Sequence, residues 1–244
     1  MSPSSIETFR QCPLKYKLSR IDKLVDPPQD YTVRGNFVHS TLEDLFALPP
    51  EERTVGRARV LMAERWDSEY RDRSEEVTRD LKMMKWSSWW CIENYFQMED
   101  PTAIEITPEQ IETEIPLVEV AGVPIKGFVD QWRIEDGGLT VRDWKTGKTP
   151  RPKYRHGKFI QLLIYADALQ TMFDIPAKKL SLYFVKDKVK LEKDVVEEDV
   201  AEMRSIVSSS HQGVLERCQS GEFEPVPQVL CDWCSYKSIC PAWT

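Results

Sequence analysis

Apolar and polar positions alternate with different periods along the chain, and the changes of period mark its elements. Ser4 with Glu7 forms a capping box that predicts a short helix, which Cys12-Pro13 ends because the residue before proline is pushed out of helical geometry. From Gly35 onward, Phe37, Val38, Leu42, Leu45 and Phe46 recur at helical spacing until Pro49-Pro50, with His39 and Glu43 sharing one face. Residues 54–98 lack strand alternation and predict two or three helices carrying Trp66, Trp86, Trp89, Trp90, Tyr95 and Phe96. The period changes at Pro101. Glu112 to Val120, Val123 to Ile134 and Leu139 to Lys145 read as strands, the last two joined across Asp136-Gly137-Gly138. Phe159 to Phe173 is helical again, Lys179 to Lys186 and Val189 to Val196 predict a strand pair, and Glu197 to Cys218 a helix.

With 244 residues and no long Gly/Ser or charge-run linker, the pattern is that of one elaborated domain. Its parts are amino-terminal helices (1–53), a helical insertion (54–100), an α/β core (101–200), and a helix with a cysteine-rich tail (201–244). No stretch is apolar enough to cross a bilayer and the start lacks an export signal, so a cytoplasmic location without membrane partners is expected. In that compartment the six cysteines point to metal or cluster ligation in preference to disulfides. The net charge of −7 argues against a broad nucleic-acid coat but leaves room for a local basic track.

On Leu139-Thr140-Val141-Arg142-Asp143-Trp144-Lys145, alternate side chains share a face, so Asp143 and Lys145 emerge together. A hard cation needs oxygen ligands, and phosphodiester hydrolysis needs positive charge where negative oxygens develop. Asp143 can meet the first need and Lys145 the second. Gly127-Phe128-Val129-Asp130 on the preceding strand adds a second carboxylate, with Gly127 permitting a bulge beside it.

Gly-x-x-Asp, then Asp-x-Lys-Thr-Gly-Lys after a Gly turn, then Gln161-x-x-x-Tyr165 on the next helix, resembles the RecB-like branch of the PD-(D/E)xK nuclease superfamily. Gly35-x-x-x-His39 resembles that family's histidine motif, and Ser4-Ser5-Ile6-x-x-Phe9-x-x-Cys12-Pro13 its usual amino-terminal motif. The resemblance implies an α/β restriction-endonuclease-like core, a central mixed sheet flanked by helices. It implies that His39, Asp130, Asp143 and the main-chain carbonyl of Trp144 bind Mg²⁺ or Mn²⁺, that Lys145 is the catalytic lysine, and that Gln161 and Tyr165 line the DNA-facing wall. An imidazole among carboxylates makes manganese more competitive than an all-oxygen site would. Glu114 or Glu112 could match a further acidic position, but a solvated strand face explains both, and neither joins the expected set.

Cys231-x-x-Cys234 followed by Cys240-Pro241 brings three thiolates close in sequence, a pattern that grips zinc or an iron-sulfur cluster. Cys12, also before a proline, is the expected fourth ligand. The resembling family, including iron-sulfur RecB-like exonucleases and the Cas-four proteins of CRISPR adaptation, ties one early cysteine to three late ones. A 4Fe-4S cluster is therefore expected, with structural zinc as the alternative. Cys91 and Cys218 read as packed thiols.

The loop after the catalytic lysine carries Lys148, Arg151, Lys153, Arg155 and Lys158 and no carboxylate, as a phosphate track would. The tryptophans between Trp86 and Trp90 could stack bases, but clustered aromatics on a helix are expected in the core. The acidic stretch Asp187 to Glu202 is expected to face away from DNA or to meet a protein.

Together these readings lead to a metal-dependent exonuclease acting from single-stranded DNA ends, in recombination, repair or phage-type replication, with recombination or CRISPR-adaptation proteins as conceivable partners. A structure-selective endonuclease of the same fold, a non-catalytic DNA-binding scaffold and a zinc-stabilised adaptor are the competing classes.

Overall fold

The computed structural model describes residues 1–243. The chain packs into two compact units. One comprises Met1–Pro27, Ile115–Gly127 and the chain from Val196 onward; the other comprises Pro28–Glu114 and Phe128–Val195. The chain leaves and re-enters each unit, so neither is contiguous in sequence.

In the larger unit, α3 (Asp30–Phe46) starts earlier than its apolar spacing predicts. Residues 30–34 are mostly exposed and polar, so this first turn carries little hydrophobic signal. The helical insertion contains α4 (Val55–Arg65), a π-helical turn (Trp66–Tyr70), α5 (Arg71–Val77) and α6 (Leu81–Met98). Thr54 caps α4 by accepting from the Arg57 amide, and Asp80 caps α6 by accepting from the Met83 amide, each satisfying an amide with no partner inside its helix. Val38, Leu42, Leu45 and Phe46 of α3 pack with Ala58, Cys91, Ile92 and Tyr95 against Trp144 and Tyr183 of the sheet. Tryptophan exposure divides this insertion: Trp66 is buried, but Trp86 and Trp90 are 53% and 44% exposed, which corrects their expected place in the core.

The sheet has strand order β1-β2-β3-β4-β5, from β1 (Ile111–Val120), β2 (Val123–Glu135), β3 (Gly138–Lys145), β4 (Ala177–Phe184) and β5 (Val189–Asp194). Asp136 and Gly137, both with positive φ, make the two-residue turn that twists β2 directly into antiparallel β3. A crossover through α7 (Ile160–Phe173) brings β4 alongside β3 in parallel, and β5 returns antiparallel. The sheet is therefore mixed and lies among helices, as the fold class requires.

β3 is central, and every residue from Gly138 to Trp144 is buried. On one face Arg142 is 1% exposed, and its guanidinium donates to Glu99, to Gln131 Oε1 and to the Tyr183 hydroxyl. A charge so deep is tolerated only when paired and hydrogen-bonded. The other face carries Asp143 and Lys145 toward α7.

In the smaller unit, α1 (Pro3–Gln11) is capped by Ser2, whose hydroxyl accepts from the Ser5 amide, so the box opens two residues before the predicted Ser4. Pro3 then occupies the first turn, where its missing N–H costs nothing. The helix stops at extended Cys12, as predicted, and α2 (Pro13–Tyr16) follows. Phe9, Tyr16 and Val214 of α8 (Glu197–Ser220) form its core; Gly213 of α8 sits where a Cβ would come within 3.1 Å of the Phe9 ring. Cys91 is buried as expected, whereas Cys218 is exposed on the last turn of α8 and is not a packed thiol. Among the described residues no helix is long and apolar enough to cross a membrane.

Candidate active site

Strand alternation delivers the first pair. Lys145 Nζ lies 2.8 Å from Asp143 Oδ1 and 2.7 Å from Oδ2, on the face of β3 that meets α7. Only Oδ1 receives a directed hydrogen bond, and the buried Oδ2 meets Lys145 through the ion pair alone. Gln161, in the first turn of α7, reaches both partners, with its amide oxygen 3.4 Å from Lys145 Nζ and its amide nitrogen 3.4 Å from Asp143 Oδ1. Tyr165, one turn on, interacts with Gln161 and with the Phe128 backbone. The helix thus presents Gln161 and Tyr165 together, as their spacing predicts.

Asp130 on β2 is the link to the other side of the site. Its Oδ2 accepts from the Trp144 amide at 2.9 Å and lies 3.3 Å from His39 Nδ1 on α3. Gly35 allows α3 to approach: a Cβ there would meet Thr146 Oγ1, in the loop after Lys145, at 3.3 Å.

Glu112 completes the group, and sequence reasoning left it out. One ligand atom each from His39, Glu112 and Asp130 lie within 4.8 Å of one another. Glu112 has a φ of 44°, rare for a residue other than glycine, and this kink breaks the period-2 alternation that would put Glu112 and Glu114 on one face. Glu114 is exposed. The positive φ is a product of the folded strand and leaves no trace in residue type. Beside this group lies a cleft of about 400 Å³ lined by Thr32, Asn36, His39, Ser40, Glu43, Tyr70 and Glu112.

The charges in the site are strongly coupled to their surroundings. Burial opposes ionisation of both aspartates. For Asp130 the charge and hydrogen bond of His39, the charge of Lys145 and the Trp144 amide outweigh it, so its carboxyl sits below the ordinary range. For Asp143 burial prevails over Lys145, with Asp130 adding repulsion, and its pKa is pushed up to about 6. Burial, then repulsion from Asp130 and Glu43, raises Glu112 to about 7. Burial alone would lower His39, but the charge and hydrogen bond of Asp130 and the charge of Asp143 carry it to about 9. Three carboxylates that repel one another and one imidazole fit a divalent cation, whose charge would relieve the repulsion.

The basic loop leaves β3 at Lys145 and lies beside the β4–β5 turn. Lys148, Arg151, Lys153 and Lys158 are exposed, while the Arg155 guanidinium turns back to the Pro150 carbonyl at 3.2 Å. Asp187 accepts from the Thr149 amide at 2.6 Å, and Lys193 Nζ is 3.3 Å from His156 Nδ1. The start of the acidic stretch therefore anchors this loop, contrary to the expectation that it faces away.

The four predicted cluster cysteines come together in the smaller unit. Cys12, Cys231, Cys234 and Cys240 line one concavity with Leu14, Pro225 and Tyr236. The Val226 amide points at Cys12 Sγ (3.5 Å) and the Gln228 amide at Cys231 Sγ (3.3 Å), the donors that thiolate sulfurs need.

Comparison with known proteins gives two kinds of match. A family model described as the PD-(D/E)XK nuclease superfamily matches residues 1–241. The chain is also similar to the Gene 69 protein of Mycobacterium phage L5, at 25% identity over 99% of this chain and 96% of the relative. It is 26% identical, with the same two coverages, to the Gene 69 protein of Mycobacterium phage D29.

Proposed function

Given that the chain belongs to the PD-(D/E)XK nuclease superfamily, whose members cleave nucleic acid with divalent metal ions, we propose that it is a RecB-like, iron-sulfur DNA exonuclease acting from single-stranded ends. The observation that carries the reading is the Asp143–Lys145 clamp, held by Gln161 and joined through Asp130 to His39 and Glu112.

In this reading His39, Glu112, Asp130, Asp143 and the Trp144 carbonyl hold Mg²⁺ or Mn²⁺. A cation bound there would supply Lewis-acid polarisation of the phosphate and a more acidic water. Lys145 places positive charge where negative oxygens develop, and Asp143 aims it. Gln161 fixes the clamp by bonding both partners, and Tyr165 walls the side facing DNA. Asp130 takes the Trp144 amide and the His39 ring at once, so that strand and helix keep a single spacing. Lys148, Arg151, Lys153, Arg155 and Lys158 track the phosphates, and the similarity to two phage proteins accords with phage-type replication, recombination or repair.

Cys12, Cys231, Cys234 and Cys240 hold a 4Fe-4S cluster that braces a tail whose apolar side chains, Val226, Val229, Leu230, Trp233 and Ile239 among them, are largely exposed. Fixing such backbone requires a cross-link, because its burial alone does not offset the ordering entropy.

The deciding experiment incubates the purified protein with end-labelled linear and with circular single-stranded DNA, in manganese or EDTA. Metal-dependent shortening of the linear strand with the circle intact is expected. Loss of the circle makes it an endonuclease, and no cleavage of either retires the reading. The cluster is tested separately: the protein should be brown and Cys234→Ala colourless, whereas a colourless protein containing zinc overturns the cluster.

A further inference from the structure

We propose that Trp86 and Trp90 form a stacking platform that receives the bases of single-stranded DNA leading to the active site; this rests on the nuclease reading above. The two residues are four apart on α6 and so share a face. Their ring centroids are 5.1 Å apart at an interplanar angle of 50°, and both rings are about half exposed. The exposure is selective. Tyr95 on the same helix is fully buried, and Trp89 is partly buried with the Arg59 guanidinium over its ring.

The platform is tied to the catalytic strand by a short chain of contacts. The Asn94 side-chain amide, one turn beyond Trp90, donates to the carbonyls of Val185 (2.9 Å) and Lys186 (3.2 Å). The neighbouring Asp187 holds the Thr149 amide, four residues past Lys145. One cation shares this face: Lys82, exposed, lies one turn before Trp86. Glu93, the single carboxylate of α6, lies on the same face one turn after Trp90, which leaves the Lys82 end of the stripe as the side open to phosphates.

These features select the occupant. Paired exposed indole faces beside a lysine suit unpaired bases joined by phosphates, because every base offers a π face and a duplex hides it. A second copy of the chain fits less well, because two rings fall far short of the roughly 1,000 Å² that stable association needs.

The test compares the full-length protein with Trp86→Ala, Trp90→Ala and the double variant, and with Trp86→Phe/Trp90→Phe. A fluorescein-labelled oligothymidylate and a duplex of equal length are titrated in EDTA, and cleavage is then measured at saturating substrate in manganese. Affinity for the single strand should fall about tenfold for each ring lost, with the phenylalanine pair restoring most of it, while duplex affinity and the saturated cleavage rate stay unchanged. Unchanged single-strand affinity in the double alanine variant, with circular dichroism confirming its fold, overturns the platform. So does a wild-type dimer in sedimentation that the double variant renders monomeric. A protein that cuts DNA yet shows no binding defect loses only the platform, whereas one that shows the defect but never cuts loses only the nuclease reading.

Discussion

His39 Nδ1 lies 3.3 Å from Asp130 Oδ2, joining α3 to β2 across the candidate metal group. In metal-free protein this pairing lifts the imidazole from 6.5 to about 9. The stability it contributes is fully present below 6.5 and is lost as pH rises through about 9. The urea midpoint of EDTA-treated protein should carry a fall across that window that His39→Gln removes. Bound metal must displace the same proton, so manganese affinity measured by calorimetry should strengthen from pH 6 to 9. Affinity that ignores pH would exclude His39 as a ligand.

Glu112 is raised to about 7, chiefly by burial and by Asp130, so its charged form is unfavourable without a cation. Its contribution is present below 4.5 and lost as pH rises through about 7. Glu112→Gln should therefore stabilise metal-free protein at pH 8, on the order of 1–2 kcal/mol once partial solvent contact is discounted, and should weaken manganese binding. Denaturant melts with and without manganese separate the two effects. If the substitution destabilised the metal-free protein and left metal binding untouched, Glu112 would be a structural residue only.

Lys145 and Asp143 act as a clamp, and their losses should differ. Lys145→Met should lower the cleavage rate by about 10²–10⁴-fold while manganese still binds, because it removes charge at the developing oxygens. Asp143→Ala should abolish cleavage and weaken the metal, yet leave any colour of the proposed cluster unchanged. Single-turnover kinetics and visible absorbance read these outcomes side by side.

Arg142 occupies the opposite face of β3 and holds Glu99, Gln131 and Tyr183. Arg142→Ala should destabilise the fold by about 3–5 kcal/mol, since it leaves Glu99 half-paired with Arg133 in a buried site. Equilibrium unfolding measures the loss. The surviving folded fraction should keep its manganese affinity, because the substitution lies on the side of the strand away from Asp143.

Much of this protein is legible in residue order because strands and helices repeat with fixed periods. The alternation that puts Asp143 and Lys145 on one face, the four-residue spacing of Gln161 and Tyr165, and the Asp-Gly turn between β2 and β3 are local properties, and each emerges in the fold. The gathering of Cys12 with the three late cysteines was readable from spacing and resemblance. Other features required the tertiary structure. Glu112 enters the site through a positive φ that no sequence period encodes. Trp86 and Trp90 face outward because packing against α3, α4 and the sheet uses other sides of α6, and helical spacing alone does not say which side wins. Asp187 anchors the basic loop because β5 pairs with β4 and the turn between them brings Asp187 to Thr149. Local periods come from the geometry of the backbone, but which faces meet depends on contacts between residues far apart in the chain.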